Sequence, residues 1–330
     1  MTTFAGFRRL AMWGVVTAFV ALTSCGGRER ANPALSSLAA GGAHSVAIEA
    51  DGTLWAWGSN HLGQLGNGTN VDSRTPVQVG TDTRWQSVSA GYFHTAAIRT
   101  DGTLWIWGSN KSSQLGDGTR ISRNKPVQIG TDARWRSVSA GRMHTVAIRT
   151  DGTLWAWGWN DMGQLGIGST RESPVPVQVG TDTDWSSAAV GADHTVAIKT
   201  DGTLWAWGSN HSGELGDGTT RSSDIHVQIA TDARWLSVAA DWYTAAVKTD
   251  GTLWAWGLNY FGQLGNGTNE NSHAPVQIGA GTKWRSISAG WGHAVAIMAD
   301  GTLWAWGSNE DGQLGNGTNE DVDTPVQIGR

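Results

Sequence analysis

The sequence predicts an all-β chain folded as a six-bladed β-propeller of four-stranded antiparallel blades, and three observations predict it. Asp-Gly-Thr-Leu begins at Asp51, Asp101, Asp151, Asp201, Asp250 and Asp300, a period near 50 residues that belongs to stacked or radial arrays rather than independent domains. Each period reads as four short β-type runs. Each also carries a tryptophan pair two residues apart, such as Trp55/Trp57 and Trp105/Trp107, which puts both indoles on one strand face.

The second unit shows the elements in order. Trp85–Ala90 is the first strand, and its small Ser/Ala/Gly tail suits the crowded axis of a propeller. Gly91-Tyr92-Phe93 turns the chain into His94–Arg99. Asp101-Gly102 marks a hairpin, because both residues accept the positive φ of tight turns. Thr103–Trp107 follows, then a long Gly/Asn-rich loop, then Pro126–Ile129. Proline opening this last strand fits an edge, where no donor is missed. First-strand runs begin at Leu35, Trp85, Trp135, Trp185, Trp235 and Trp284; last-strand runs lie at Pro76, Pro126, Pro176, Ile225, Pro275 and Pro325. Every type occurs six times, with none left over. The tryptophans are read as wedges between blades, closing a wheel of six near-equal sectors. Each buries about 150–250 Å², roughly 4–6 kcal/mol gross. Trp55, Trp57, Trp105, Trp107, His94 and His144 are therefore structural positions.

The first 34 residues are a separate object. Arg8-Arg9 precedes the apolar run Leu10–Leu22, too short for a comfortable membrane span, and Leu22-Thr23-Ser24-Cys25 follows. This resembles the lipobox of bacterial lipoproteins. The expected organisation is a signal peptide over 1–24, a lipidated Cys25 with a tether over 25–34, and the propeller over 35–330. Cys25 is the single cysteine, so no disulfide framework exists within the chain. The expected location is extracytoplasmic, at the bacterial cell envelope, with the lipid as sole membrane attachment. Gly26 after the cysteine favours the outer membrane in a two-membrane cell. A net charge of −5 with 15% charged residues argues against nucleic acid, which needs a basic face.

Gly91-Tyr92-Phe93-His94-Thr95, Asp101–Gly108 and Asn60–Gly66 (NHLGQLG) resemble the signature of the regulator of chromosome condensation repeat family, and the likeness covers nearly all of Leu35–Arg330. The resemblance implies a propeller, usually of seven blades; six is a departure. The founding member exchanges nucleotide on a small GTPase and binds chromatin. That activity is not carried over to a chain with a lipoprotein signal and no basic excess. Secreted bacterial members, protein-binding propellers that include an inhibitor of β-lactamases, are the better comparison.

Where near-identical units differ, function has room. Two dipeptides vary most, one before the repeated histidine and one after the repeated asparagine. With antiparallel strands both fall at the same end of every blade, so they line one face. After the signal segment every Tyr and Phe of the chain sits in them: Tyr92, Phe93, Tyr243, Tyr260 and Phe261. Trp242, Trp291, Met143 and Met162 sit there too, and Trp159 lies beside the second. These ten residues are the candidate partner-binding set, since rigid aromatic rings bury much area at little entropic cost. The competing reading folds the rings down to plug the channel mouth.

Other chemistry is set aside. His44, His94, His144, His194 and His293 are dispersed around a ring and do not converge on a metal; each is expected to bond a nearby backbone carbonyl. The acidic loop at Glu320, Asp321 and Asp323 lacks the spacing of a calcium loop. No catalytic residues, metal site or cofactor are assigned, and the chain is not read as an enzyme. The expectation is a monomer that binds an unknown protein partner. A glycan-binding or glycan-processing protein and a ligand-free envelope component are the alternatives.

Overall fold

A computed structural model describes residues 35–231 and 234–329. Cys25, the signal segment and the tether lie outside the described residues. Blade 1 comprises β1 (Leu35–Ala40), β2 (His44–Glu49), β3 (Leu54–Gly58) and β4 (Ser73–Gln78), paired antiparallel in that order. The pattern recurs in five more sheets, whose first strands are Trp85–Ala90, Trp135–Ala140, Trp185–Val190, Trp235–Ala240 and Trp284–Ala289. These six first strands surround an axial channel of about 340 Å³, lined by small side chains such as Ala39, Ser89, Ala140, Ala189 and Ala289. The expected six blades and the innermost place of this strand type are thus both found.

A bulge early in each inner strand, between Trp85 and Ser87 in blade 2, breaks the alternation. It turns Trp85 away from the channel and edge-on to Trp105 and Trp107, at centroid distances of 6.3 and 6.1 Å. Arg99 covers Trp105 from outside, 3.8 Å from its centroid. The two indoles of the pair differ in duty. Trp105 is half-buried and donates to Thr103 Oγ1 of its own blade, whereas Trp107 is fully buried and donates to Gln64 O of blade 1.

That bond is the centre of a repeated junction. Thr95 Oγ1 also donates to Gln64 O (2.8 Å), and His44 Nε2 lies 2.8 Å from Thr95 Oγ1. Because the threonine spends its one proton on Gln64, the histidine must donate, which leaves the imidazole neutral and protonated on Nε2. The Trp107 ring lies flat on Gly66 (φ +73°), where a Cβ would sit 2.5 Å from Nε1. Behind it the face of Val46, Ile48, Leu54 and Ala56 closes a dry core with Trp85 and Trp107. The same set joins blades 2 to 3, 3 to 4 and 4 to 5. His44, His94, His144 and His194 therefore tie one blade to the next, rather than bonding a nearby backbone carbonyl as expected. In blade 5, one residue short, Tyr243 occupies the histidine position opposite Gly257 and donates to His293 O of blade 6 at 2.7 Å.

The expected closed wheel needs correction. Among the described residues the junction is made in full four times and in altered form between blades 5 and 6, where Trp306 donates to Gln263 O but Tyr243 and Ala294 replace the histidine and the threonine; blade 6 does not make it with blade 1. Leu303 is 37% exposed where its counterparts Leu54, Leu104, Leu154, Leu204 and Leu253 are 0%. Trp57, read as a wedge, is half-buried with no carbonyl acceptor, and Gly315 has no indole resting on it. Blade 1 also departs in composition: Leu35 replaces the inner-strand tryptophan and Ser45 replaces the threonine. Among the described residues, the packing that joins each blade to the next from 1 to 6 does not recur between blade 6 and blade 1.

This asymmetry predicts unequal costs for the same substitution. Trp157→Ala, at a made junction, is expected to cost about 3–5 kcal/mol, and Trp57→Ala less than about 2 kcal/mol. Urea denaturation of the two variants checks it; equal losses would show that the sixth junction forms in solution.

Candidate functional site

Both variable dipeptides lie at one end of each blade, joined by a backbone bond. Ser109 N donates to Phe93 O, Trp159 N to Met143 O, Leu258 N to Trp242 O and Ser308 N to Gly292 O. The loop after the third strand is held from within. In blade 5 the buried Asn259 side chain accepts from Leu264 N and donates to the carbonyls of Thr268 and Glu270. In the same loop Gln263 Oε1 accepts from Phe261 N. Equivalent bonds recur around the wheel, so each loop presents its two variable residues on a rigid mount.

The candidate residues divide into two groups. The first folds inward over the channel. Tyr92 of blade 2 is buried and reaches across the axis to blade 5, its hydroxyl donating to Asp241 Oδ1 at 2.5 Å. Phe93 packs beside it with ring centroids 6.2 Å apart. Arg142 of blade 3 donates to Asp193 of blade 4 at 3.2 Å and lies 5.6 Å from the Trp242 ring. Met143 Sδ accepts from Ser112 Oγ, and Trp159 is half-buried next to it. Tyr243 is wholly buried within the junction. Tyr92 and Tyr243 are therefore corrected: they offer no surface to a partner, because one spans the channel and the other replaces an inter-blade histidine.

The second group stands out in solvent. Tyr260 is 68% and Trp291 40% exposed. Phe261 lies between the two blades, tilted against Trp291 at 5.3 Å. The three form one ridge over the boundary of blades 5 and 6. Met162 is exposed as well (37%), on blade 3 and apart from this ridge.

Burial sets the charge states at the mouth. Desolvation raises the Asp241 carboxyl to about 7, against the pull of its hydrogen bond from Tyr92. Desolvation also raises Asp193 and Glu214. Glu214 stands where the other five blades have glutamine and still accepts from Ser212 N. In the opposite sense, burial lowers His44 and His293 to about 4 and His94, His144 and His194 to about 3. Among the described residues no group of three or more His, Cys, Asp or Glu side chains is arranged to hold a metal ion.

A model described as the RCC1-like domain matches residues 131–330, well over half of the chain. The chain belongs to the RCC1-like family. Models of the regulator of chromosome condensation (RCC1) repeat match residues 51–98 and 101–148, and a second such model matches 36–64 and 85–114. A curated relative, the ultraviolet-B receptor UVR8 of Arabidopsis thaliana, is 44% identical over 48 residues, which is 14% of this chain and 11% of that protein. Among solved structures, human WBSCR16 superposes with a TM-score of 0.80 at 23% identity, over 91% of this chain and 83% of that one. Prp20p of Saccharomyces cerevisiae, studied for its binding to Gsp1p and histones, gives 0.79 at 22% identity, over 90% and 77%. At these identities the likeness is one of fold.

Within this RCC1-like frame, the family signature explains the scaffold: its His, Trp and Gly are junction parts. The mouth network was invisible in sequence, because nothing in the spacing says that Tyr92 and Asp241 meet across an axis. Glu214, alone among five glutamines, was the one available signal for a buried acid, and it was missed.

The titrations have opposing signs. The neutral histidines contribute stability present above pH 6.5, lost as pH falls through about 4 to 3. Asp241 contributes stability fully present below 3.8 and lost as pH rises through about 7. Five histidines outweigh one carboxylate, so acidification below 6.5 is expected to lower the Tm. Asp241→Asn is expected to match the wild type near pH 4 and to exceed its Tm at pH 8. Thermal melts at both pH values check this; a variant less stable at pH 8 would reverse the sign assigned to Asp241.

Proposed function

We propose that this chain is a protein-binding propeller held at the bacterial cell envelope by a lipid on Cys25, and that it acts by recognition rather than catalysis. The carrying observation is the Tyr260–Phe261–Trp291 ridge, two exposed rings with the half-buried Phe261 packed against Trp291, on hydrogen-bonded mounts. Exposed aromatic clusters of this kind are typical anchors of protein interfaces, because little entropy is lost when they are covered. Prp20p, with the same fold, is a protein studied for its binding to other proteins, which fits a propeller used as a docking platform. The channel-mouth residues Tyr92, Phe93, Met143, Trp159 and Trp242 serve this surface by stiffening it. The protein is proposed to act as a monomer without a cofactor.

Two experiments test the reading. Cys25→Ala is expected to release the protein from membranes on fractionation; persistent attachment would remove the anchor. Tyr260→Ala/Trp291→Ala is expected to keep the wild-type Tm within about 2 °C and to lose the protein partner captured from envelope extracts. Glycan-array binding that the double variant abolishes, with no protein captured, would give the ridge to carbohydrate instead.

A further inference from the structure

The loops of the two blades that form the ridge carry charge with no ion-pair partner among the described residues. Every ion pair among the described residues lies between His61 and His226, in blades 1 to 4. On the face of the ridge Asp72 pairs with His61, Asp117 with Arg123, Glu172 with Arg120 and Asp193 with Arg142. The corresponding loops of blades 5 and 6 carry Glu270, Glu310, Asp311 and Glu320, all exposed and none in an ion pair. These loops, 258–271 and 308–321, contain no lysine or arginine. On the same face the loops of blades 2 to 4 bear Lys111, Arg120, Arg171 and Arg221. One sector of the face is therefore aromatic and purely acidic, while the rest is mixed.

We infer that the ridge of blades 5 and 6 docks a cationic protein segment, in which lysine or arginine side chains lie over Trp291 and Tyr260 and meet the carboxylates around them. This rests on the protein-binding reading of the ridge and adds the chemistry of the partner. The argument is complementarity. An aromatic face attracts a cation through its quadrupole, and free carboxylates beside it supply the second half of the contact. An anionic partner would be repelled by the four carboxylates. A neutral glycan would leave those carboxylates desolvated and unpaired at its edge. The mounts are rigid: Asn259 and Asn309 anchor the two loops through buried side chains, and Asn319 Nδ2 donates to Glu310 O. The surface thus loses little freedom on binding.

The test uses the full chain and a fluorescein-labelled dodecapeptide of alternating lysine and leucine, with a glutamate-for-lysine counterpart and a serine-for-lysine counterpart. Fluorescence anisotropy is expected to show binding of the lysine peptide alone, weakening by about tenfold between 50 and 300 mM salt as exposed charges are screened. Glu270→Gln/Glu310→Gln/Asp311→Asn/Glu320→Gln is expected to weaken it by about tenfold, and so is Tyr260→Ala/Trp291→Ala. Asp161→Asn/Asp217→Asn, a neutralisation elsewhere on the face, is expected to leave binding unchanged. Equal loss in that control would make the effect one of net charge and overturn the inference. Binding of the serine peptide that needs Tyr260 and Trp291 but ignores the four carboxylates overturns the inference and leaves the ridge as a protein site. Lysine-peptide binding that ignores Tyr260 and Trp291 overturns both. Concentration-dependent self-association abolished by the same variants would place a second copy on the ridge and overturn the assignment to a separate partner.

Discussion

At four of the five junctions one backbone carbonyl, that of the glutamine or glutamate in the Gln-Leu-Gly loop, accepts from the tryptophan indole and the threonine hydroxyl of the following blade; between blades 5 and 6, where Ala294 replaces the threonine, it accepts from the indole. A histidine then donates to that threonine, so two side chains converge on a single buried oxygen and a third holds one of them in place. Without these partners the carbonyl would be desolvated and unpaired, at a cost of about 1–3 kcal/mol. The indole cannot reach it unless a glycine lies underneath. The indole bond and the glycine thus stand or fall together at all five junctions, and a neutral imidazole completes four of them.

With the scaffold so heavily determined, the freedom left to the chain lies at the ends of the strands. Blade 5 shows how that freedom is used. Deleting one residue and placing Asp241 and Tyr243 there changes both the junction and the mouth. Tyr243 keeps the blades tied by a longer reach, and Asp241 becomes the far anchor of Tyr92. The bond across the axis links blades that share no junction, at the end of the channel where the loops gather. The same blade carries Tyr260 and Phe261. The irregular repeat is therefore the one that shapes both the mouth and the exposed ridge.

The repeat period, the four-strand grammar and the inner position of the small-residue strand were legible because each reflects local chemistry: turn residues, alternation and side-chain size. The partner of the histidine was not, since a local reading supplies only local acceptors while the true one is Thr95 on the next sheet. The unmade sixth junction had a trace in sequence, in Leu35 and Ser45, but a count of repeats does not say whether the last packs on the first. At the candidate site the positions were legible and their exposure was not. Tyr92 and Tyr260 both sit in variable turns on the same face, and the sequence does not say that Tyr92 meets Asp241 and is buried while Tyr260 stays free.

A wheel whose first and last sectors do not meet behaves as a short line of coupled springs. A sealed ring has no end at which to fray; among the described residues these six blades have two, one at blade 1 and one at blade 6. Sectors in the middle of the line have a neighbour on each side and should be the last to exchange their amide protons, with protection falling off towards either lip. The Phe261–Trp291 contact straddles the final coupling of that line. A molecule seated across it would brace the terminal sector against the one before, so occupancy of the ridge and cohesion of the wheel become two readings of the same equilibrium.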